Sequence, residues 1–186
     1  MQPNTQSIPN PARPNRRVLK VVVLLLVIII ASGFLIGKRL VVNQTTISLA
    51  LPTLVRVAVL ADFHISAGAE GREWGRKAIA AAMQERPDVI LLAGDFVVHK
   101  QGVPYVGDLV AGIKAPLGVY AVLGNHDHGE GAAAVTAQLK AAGIQVLTNS
   151  HVVIRKGKTR LALVGIDDLA SGHPDWQAAF RGVPKG

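Results

Sequence analysis

No cysteine occurs among the 186 residues. A disulfide framework and a thiolate metal site are both excluded. The absence fits an exported domain, but many cytosolic domains also lack cysteine. Acidic residues are missing from the first 40 positions, which hold six basic groups: Arg13, Arg16, Arg17, Lys20, Lys38 and Arg39. Residues 41–186 set 14 basic groups against 12 acidic ones, so the formal charge of +8 belongs mostly to the N-terminal segment. Nucleic-acid binding calls for a basic patch on the folded domain, and none is indicated. No nucleic-acid partner is therefore expected. Neither a G-x-G-x-x-G turn nor a P-loop is present, which sets a nucleotide-binding domain low. There is no internal repeat at a solenoid period.

What is present falls into four segments. Residues 1–17, MQPNTQSIPNPARPNRR, are rich in Pro, Asn and Arg and predict a disordered basic tail. Residues 18–37 form an apolar run broken only by Lys20. As a helix they would rise about 30 Å, the thickness of a bilayer core, so one transmembrane helix is expected there. A cleaved signal peptide competes with an uncleaved anchor. The run is long for a signal peptide and lacks a clear A-x-A site, which favours the anchor. Arg16-Arg17 loosely resembles a twin-arginine signal, although plain flanking charges explain it as well. Four basic groups before the span and two after it place the N-terminus inside and the domain outside. The expected location is thus the bacterial inner (cell) membrane, single-pass, with the lipid bilayer as a partner and the domain on the extracytoplasmic side. Residues 38–53 are a linker, and residues 54–186 carry the domain.

Within the domain, short apolar runs alternate with amphipathic stretches. Strands are predicted over 54–62, 88–95, 118–125 and 144–149, and a hairpin over 151–167 turning at Lys156-Gly157-Lys158. Helices are predicted over 72–86, about 104–114, and 131–143 with Gly143 at its C-terminus. Alternation of this kind builds a parallel-rich α/β sheet covered by helices.

In such sheets ligands bind beyond the carboxyl ends of the strands. The first strand is followed by Asp62 and His64, the second by Asp95, and the third by Asn125, His126, Asp127 and His128. An Asp after a strand is commonly a turn or cap residue, and a lone D-x-H carries little. Together, however, three consecutive strands deliver oxygen and imidazole donors to one edge. Such a mixed set suits Mn²⁺, Fe or Zn²⁺ better than Cu⁺ or Ca²⁺.

D-x-H, then G-D, then G-N-H-D, each after a strand, resembles the calcineurin-like metallophosphoesterases from about Leu54 to Asp168. With an apolar N-terminal segment ahead, the chain looks like the bacterial membrane-associated branch, which includes enzymes that hydrolyse UDP-diacylglucosamine. The resemblance implies a β-sandwich flanked by helices. It implies two divalent metal ions (Mn²⁺, Fe or Zn²⁺), with Asp62 and His64 on the first, Asp95 bridging and Asn125 on the second. It makes His126 the catalytic group, a proton donor to the leaving oxygen or a stabiliser of charge at the phosphate. Asp127 would support the site rather than ligate. The implied reaction is hydrolysis of a phosphomonoester, phosphodiester or pyrophosphate by metal-activated water, on a phosphorylated small-molecule or lipid-linked substrate.

The sequence departs from the family pattern in two places. A further strand ending in histidine and a G-H-x-H segment would follow the hairpin, and both are absent before Gly186. The expectation is a C-terminally truncated copy with an incomplete sandwich, and the alternative is a non-catalytic membrane-tethered α/β module. The second motif runs GDFVVHKQG, without the acid and arginine of G-D-x-x-D-R-G, which argues against phosphoprotein substrates. His173 in SGHPD is expected at a helix start rather than as a ligand. His99 and His151 are expected on the surface. His128 is expected in an exposed loop, or lining the substrate mouth.

Overall fold

The computed structural model describes residues 16–36 and 40–184. Of the tail expected over residues 1–17, residues 1–15 lie outside them, and Arg16 and Arg17 belong to a helix rather than to a disordered tail. Two compact units divide the chain, residues 1–41 and 42–186.

The first unit contains helix α1, Arg16–Ile36. The transmembrane helix expected over 18–37 is not supported, because among the described residues no helix is long and apolar enough to cross a membrane. Arg16, Arg17 and Lys20 all lie in the first turns of α1, so its charge is gathered at one end. The single-pass location in the bacterial inner membrane, and the extracytoplasmic side assigned with it, fall with the helix.

The second unit holds a four-stranded parallel sheet in the order β1-β2-β3-β4. Its strands are β1 (Val57–Leu60), β2 (Val89–Ala93), β3 (Val119–Val122) and β4 (Gln145–Val146). Val57 pairs with Val89 and Ile90 with Val119, so β2 and β3 are central and almost wholly apolar. Between the strands run α2 (Ala69–Gln84), a 3₁₀ segment (Lys100–Tyr105) leading into α3 (Val106–Val110), and α4 (Asn125–Ala141). Ile90, Leu92, Phe96, Val106, Val110, Val135 and Leu139 close the core between sheet and helices.

The helix expected over 104–114 is instead split and short. Pro104 sits inside the 3₁₀ segment, where it offers no N–H. Gly112, at φ 78°, lies in the left-handed region just beyond α3. Helix α4 begins at Asn125, six residues earlier than its apolar period suggests, and is broken at Gly131 (φ 131°, ψ 70°).

The hairpin forms as predicted, from β5 (Ser150–Lys156) and β6 (Thr159–Gly165). Gly157, at φ 55°, takes the first position of its two-residue loop, where positive φ is needed. This pair is a separate two-stranded sheet and does not extend the parallel one. A short helix α5, Trp176–Phe180, follows, capped by the Asp175 carboxylate accepting from Ala178 N–H.

Candidate metal centre

Beyond the ends of β1 and β2 the two chains stay side by side. Asp62 N–H donates to Gly94 O (3.1 Å), His64 N–H to Asp95 O (3.0 Å) and Ile65 N–H to Phe96 O (2.9 Å). This continued pairing sets the donor-bearing residues next to one another. The backbone there is unusual. Asp62 (φ 57°), His64 (φ 46°) and Asp95 (φ 55°) all lie in the left-handed region, as does Gly94 (φ 80°). Asp and His tolerate that region better than most side chains, but each such residue still costs on the order of 1 kcal/mol.

His64, Asp95 and His126 each present one donor atom, and these atoms lie within 4.8 Å of one another. One ion placed among them is within reach of all three. The imidazoles of His64 and His126 meet edge to face, with centroids 4.9 Å apart. Asp95 Oδ1 accepts the His126 N–H at 3.1 Å, and Asp95 Oδ2 lies 4.0 Å from His64 Nε2. One carboxylate oxygen is thus occupied by the protein while the other faces the cluster. Among the described residues, His64 Nδ1 is buried and has no hydrogen-bond partner. A buried polar atom left unpaired is costly, and together with the N, N, O donor set it fits a divalent cation.

Asp62 lies at the rim. Its carboxylate is 68% exposed and 3.5 Å from His64 Nε2, and it is outside the three-residue cluster. Asn125 is exposed at the first position of α4. Asp127 has no exposed surface at all. Its Oδ2 accepts the Gly124 N–H (3.0 Å) and its Oδ1 the Val97 N–H (3.2 Å), which ties the start of α4 to the segment after β2. Burial pushes its pKa up, and the nearby Asp95 charge adds to that, against the opposing pull of its backbone donors.

Of the other histidines, His128 departs most from its expected place. His128 is not an exposed loop residue. Its Nε2 lies 2.8 Å from Asp167 Oδ1, with the side chains only 18% and 9% exposed. His151 Nδ1 lies 2.9 Å from Ala179 O. His173 sits just before α5, with its N–H donated to Asp167 Oδ2 at 2.9 Å. His99 is exposed and precedes the 3₁₀ segment. The role of Asp167 was not legible from the sequence, because its partner lies 39 residues away on another element.

Among known proteins, the chain is 34% identical over 101 residues to a phosphodiesterase, YaeI, of Escherichia coli (strain K12). That match covers 52% of this chain and 37% of YaeI. It is 29% identical over 105 residues to an uncharacterized metallophosphoesterase, YkoQ, of Bacillus subtilis (strain 168), covering 53% of this chain and 39% of that one. A second protein of that species, the uncharacterized metallophosphoesterase YkuE, is 28% identical over 102 residues, 52% of this chain and 36% of its own. The chain therefore spans well under half the length of these relatives. Residues 55–172 match the calcineurin-like phosphoesterase family, a span that takes in Asp62, His64, Asp95, Asn125 and His126, and the chain belongs to that family.

Proposed function

We propose that this chain takes part in metal-dependent hydrolysis of a phosphodiester. The observation that carries the reading is the convergence of His64, Asp95 and His126 at the carboxyl edge of a parallel sheet. In this reading Asp62, His64 and Asp95 hold one divalent cation, and Asp95 and Asn125 hold a second. When bound, such cations supply Lewis-acid charge and lower the pKa of a coordinated water. His126, although within reach of the same cluster, is assigned in this reading to the phosphate rather than to a cation. Its backbone N–H is fixed by Asp95, which leaves the imidazole to pass a proton to the leaving oxygen. Asp127 keeps the turn that carries both residues anchored to the segment after β2. The metals proposed are Mn²⁺, Fe or Zn²⁺. The substrate class follows the phosphodiesterase named among the relatives. A lipid-linked pyrophosphate such as UDP-diacylglucosamine is the finer candidate from the sequence resemblance.

The test is metal content together with turnover. The purified chain is assayed for Mn, Fe and Zn, then for hydrolysis of bis-p-nitrophenyl phosphate and UDP-diacylglucosamine with Mn²⁺ added. Asp95→Asn is expected to abolish turnover, since it touches both proposed ions. Undiminished turnover in that variant would sink the reading.

A further inference from the structure

We propose that His128 and Asp167 form a clasp that positions the Asn125–His126 turn, an inference that rests on the metal-site reading above. Helix α4 is broken at Gly131, so residues 125–130 are not held by continuity with the rest of the helix. Outside contacts must fix them instead. Three of these come from the segment following β2: the His126 N–H to Asp95 Oδ1, the Val97 N–H to Asp127 Oδ1, and the Lys100 N–H to Glu130 Oε2 at 2.7 Å. The His128–Asp167 contact comes from elsewhere, the segment following β6.

That far end is itself built to be rigid. Asp167 Oδ1 also accepts the Asp168 N–H (3.0 Å), and its Oδ2 accepts the His173 N–H (2.9 Å). Its own N–H donates to Asn149 Oδ1 at 3.0 Å. The same Asn149 oxygen accepts the Asp175 N–H (3.0 Å), while Asn149 Nδ2 donates to His173 O (2.7 Å). Gly172 leaves room for this, since a Cβ there would lie 2.6 Å from Asp167 Cγ. Burial alone would push the Asp167 pKa up, but the His173 N–H, His128 and the Asp168 N–H more than offset it and hold it below the ordinary value. An ionised carboxylate only accepts, so His128 Nε2 carries the proton of the pair. The pair is mostly buried and networked, unlike a surface ion pair of negligible worth. Neither residue belongs to the metal cluster, so both act through the placement of Asn125 and His126.

The experiment compares His128→Ala and His128→Gln with wild type in the full chain. Gln keeps an N–H donor on a side chain of similar reach. The first readout is amide hydrogen exchange of residues 125–130 in metal-free protein. Exchange is expected to rise about tenfold or more in the Ala variant and to return toward wild type in the Gln variant. Unchanged exchange in the Ala variant, or equal loss in both, overturns the clasp. The second readout uses Mn²⁺ alone and then bis-p-nitrophenyl phosphate. Partners that orient ligands typically contribute 10–100-fold, so the Ala variant should bind Mn²⁺ about tenfold more weakly and lose kcat with KM nearly unchanged. Wild-type affinity and kcat in the Ala variant would overturn the positioning role. If wild type itself neither binds Mn²⁺ nor turns over, the hydrolytic reading fails, and the exchange data still decide whether the turn is clasped.

Discussion

Gly124 has no side chain to offer, yet the site depends on it. A Cβ at this position would overlap Asp95 Oδ1 and lie 2.7 Å from Asp95 N. Its backbone (φ −104°, ψ 178°) is ordinary extended chain, so the requirement is for space rather than for a glycine dihedral. Gly124→Ala should therefore displace the Asp95 carboxylate. We expect Mn²⁺ affinity and turnover to fall by about 100-fold, the scale of an ångström misplacement, with the circular dichroism spectrum retained. Titration with Mn²⁺ and the bis-p-nitrophenyl phosphate assay check it. At this scale the sequence was legible wherever a strand end marked the residue. Asp62, His64, Asp95, Asn125 and His126 were all marked by strand ends, and His64, Asp95 and His126 do converge. The His128–Asp167 pair was hidden, because nothing local in either stretch announces a partner 39 residues away. The need for Gly124 was hidden for the same reason, since the atom it makes way for belongs to the preceding strand's loop.

The β5–β6 hairpin raises the question of what joins two sheets that share no strand pairing. Part of the answer is polar. Lys156 Nζ reaches Asp88 Oδ2 at 2.6 Å and Leu54 O at 2.9 Å, and Asp88 Oδ2 also accepts the Arg56 N–H at 2.7 Å. Thr159 Oγ1, at the other side of the turn, accepts the Thr53 N–H at 2.9 Å and donates to Thr53 O at 3.2 Å. Burial tends to raise the Asp88 pKa, but the Arg56 N–H and Lys156 outweigh it and hold it below 3.8. A depressed folded-state value means the stabilisation is present above the unfolded value and lost as pH falls through the folded one. Asp88→Asn should thus lower the melting temperature at neutral pH, by a free energy of at most about 1 kcal/mol for so exposed a lysine partner. The gap to wild type should close as the pH falls through that lowered value, which paired thermal melts would show. Among the elements, strands and hairpin were readable because apolar runs and a Gly-centred turn are local signals. The first turn of α4 was not, because NHDHGE has no apolar period, and its helical shape is imposed by contacts from Asp95, Val97 and Lys100.

Taken whole, the second unit is an apolar sheet-and-helix core with its chemistry collected at one edge. The fold class follows from alternation of strand and helix, and the core residues Ile90, Leu92, Val135 and Leu139 from the same periodicities. The apolar N-terminal run was read from its length and hydropathy as a spanning helix, which the described residues do not support. The metal cluster has a further consequence at this scale. Its three donors come from positions 64, 95 and 126, each 31 residues from the next, on segments that converge only when β1, β2 and β3 are paired. A cation held between His64 and Asp95 binds the folded chain and not the unfolded one. Mn²⁺ at 100 times its dissociation constant should add about 2.7 kcal/mol of stability, seen as a higher melting temperature. The same addition should leave Asp95→Asn unmoved, and an equal rise in both would place the bound ion elsewhere. Tying a loop of about 31 residues is worth roughly 3–4 kcal/mol when a disulfide does it. In a chain with no cysteine, the proposed ion would then be a removable cross-link, and a chelator the counterpart of a reducing agent.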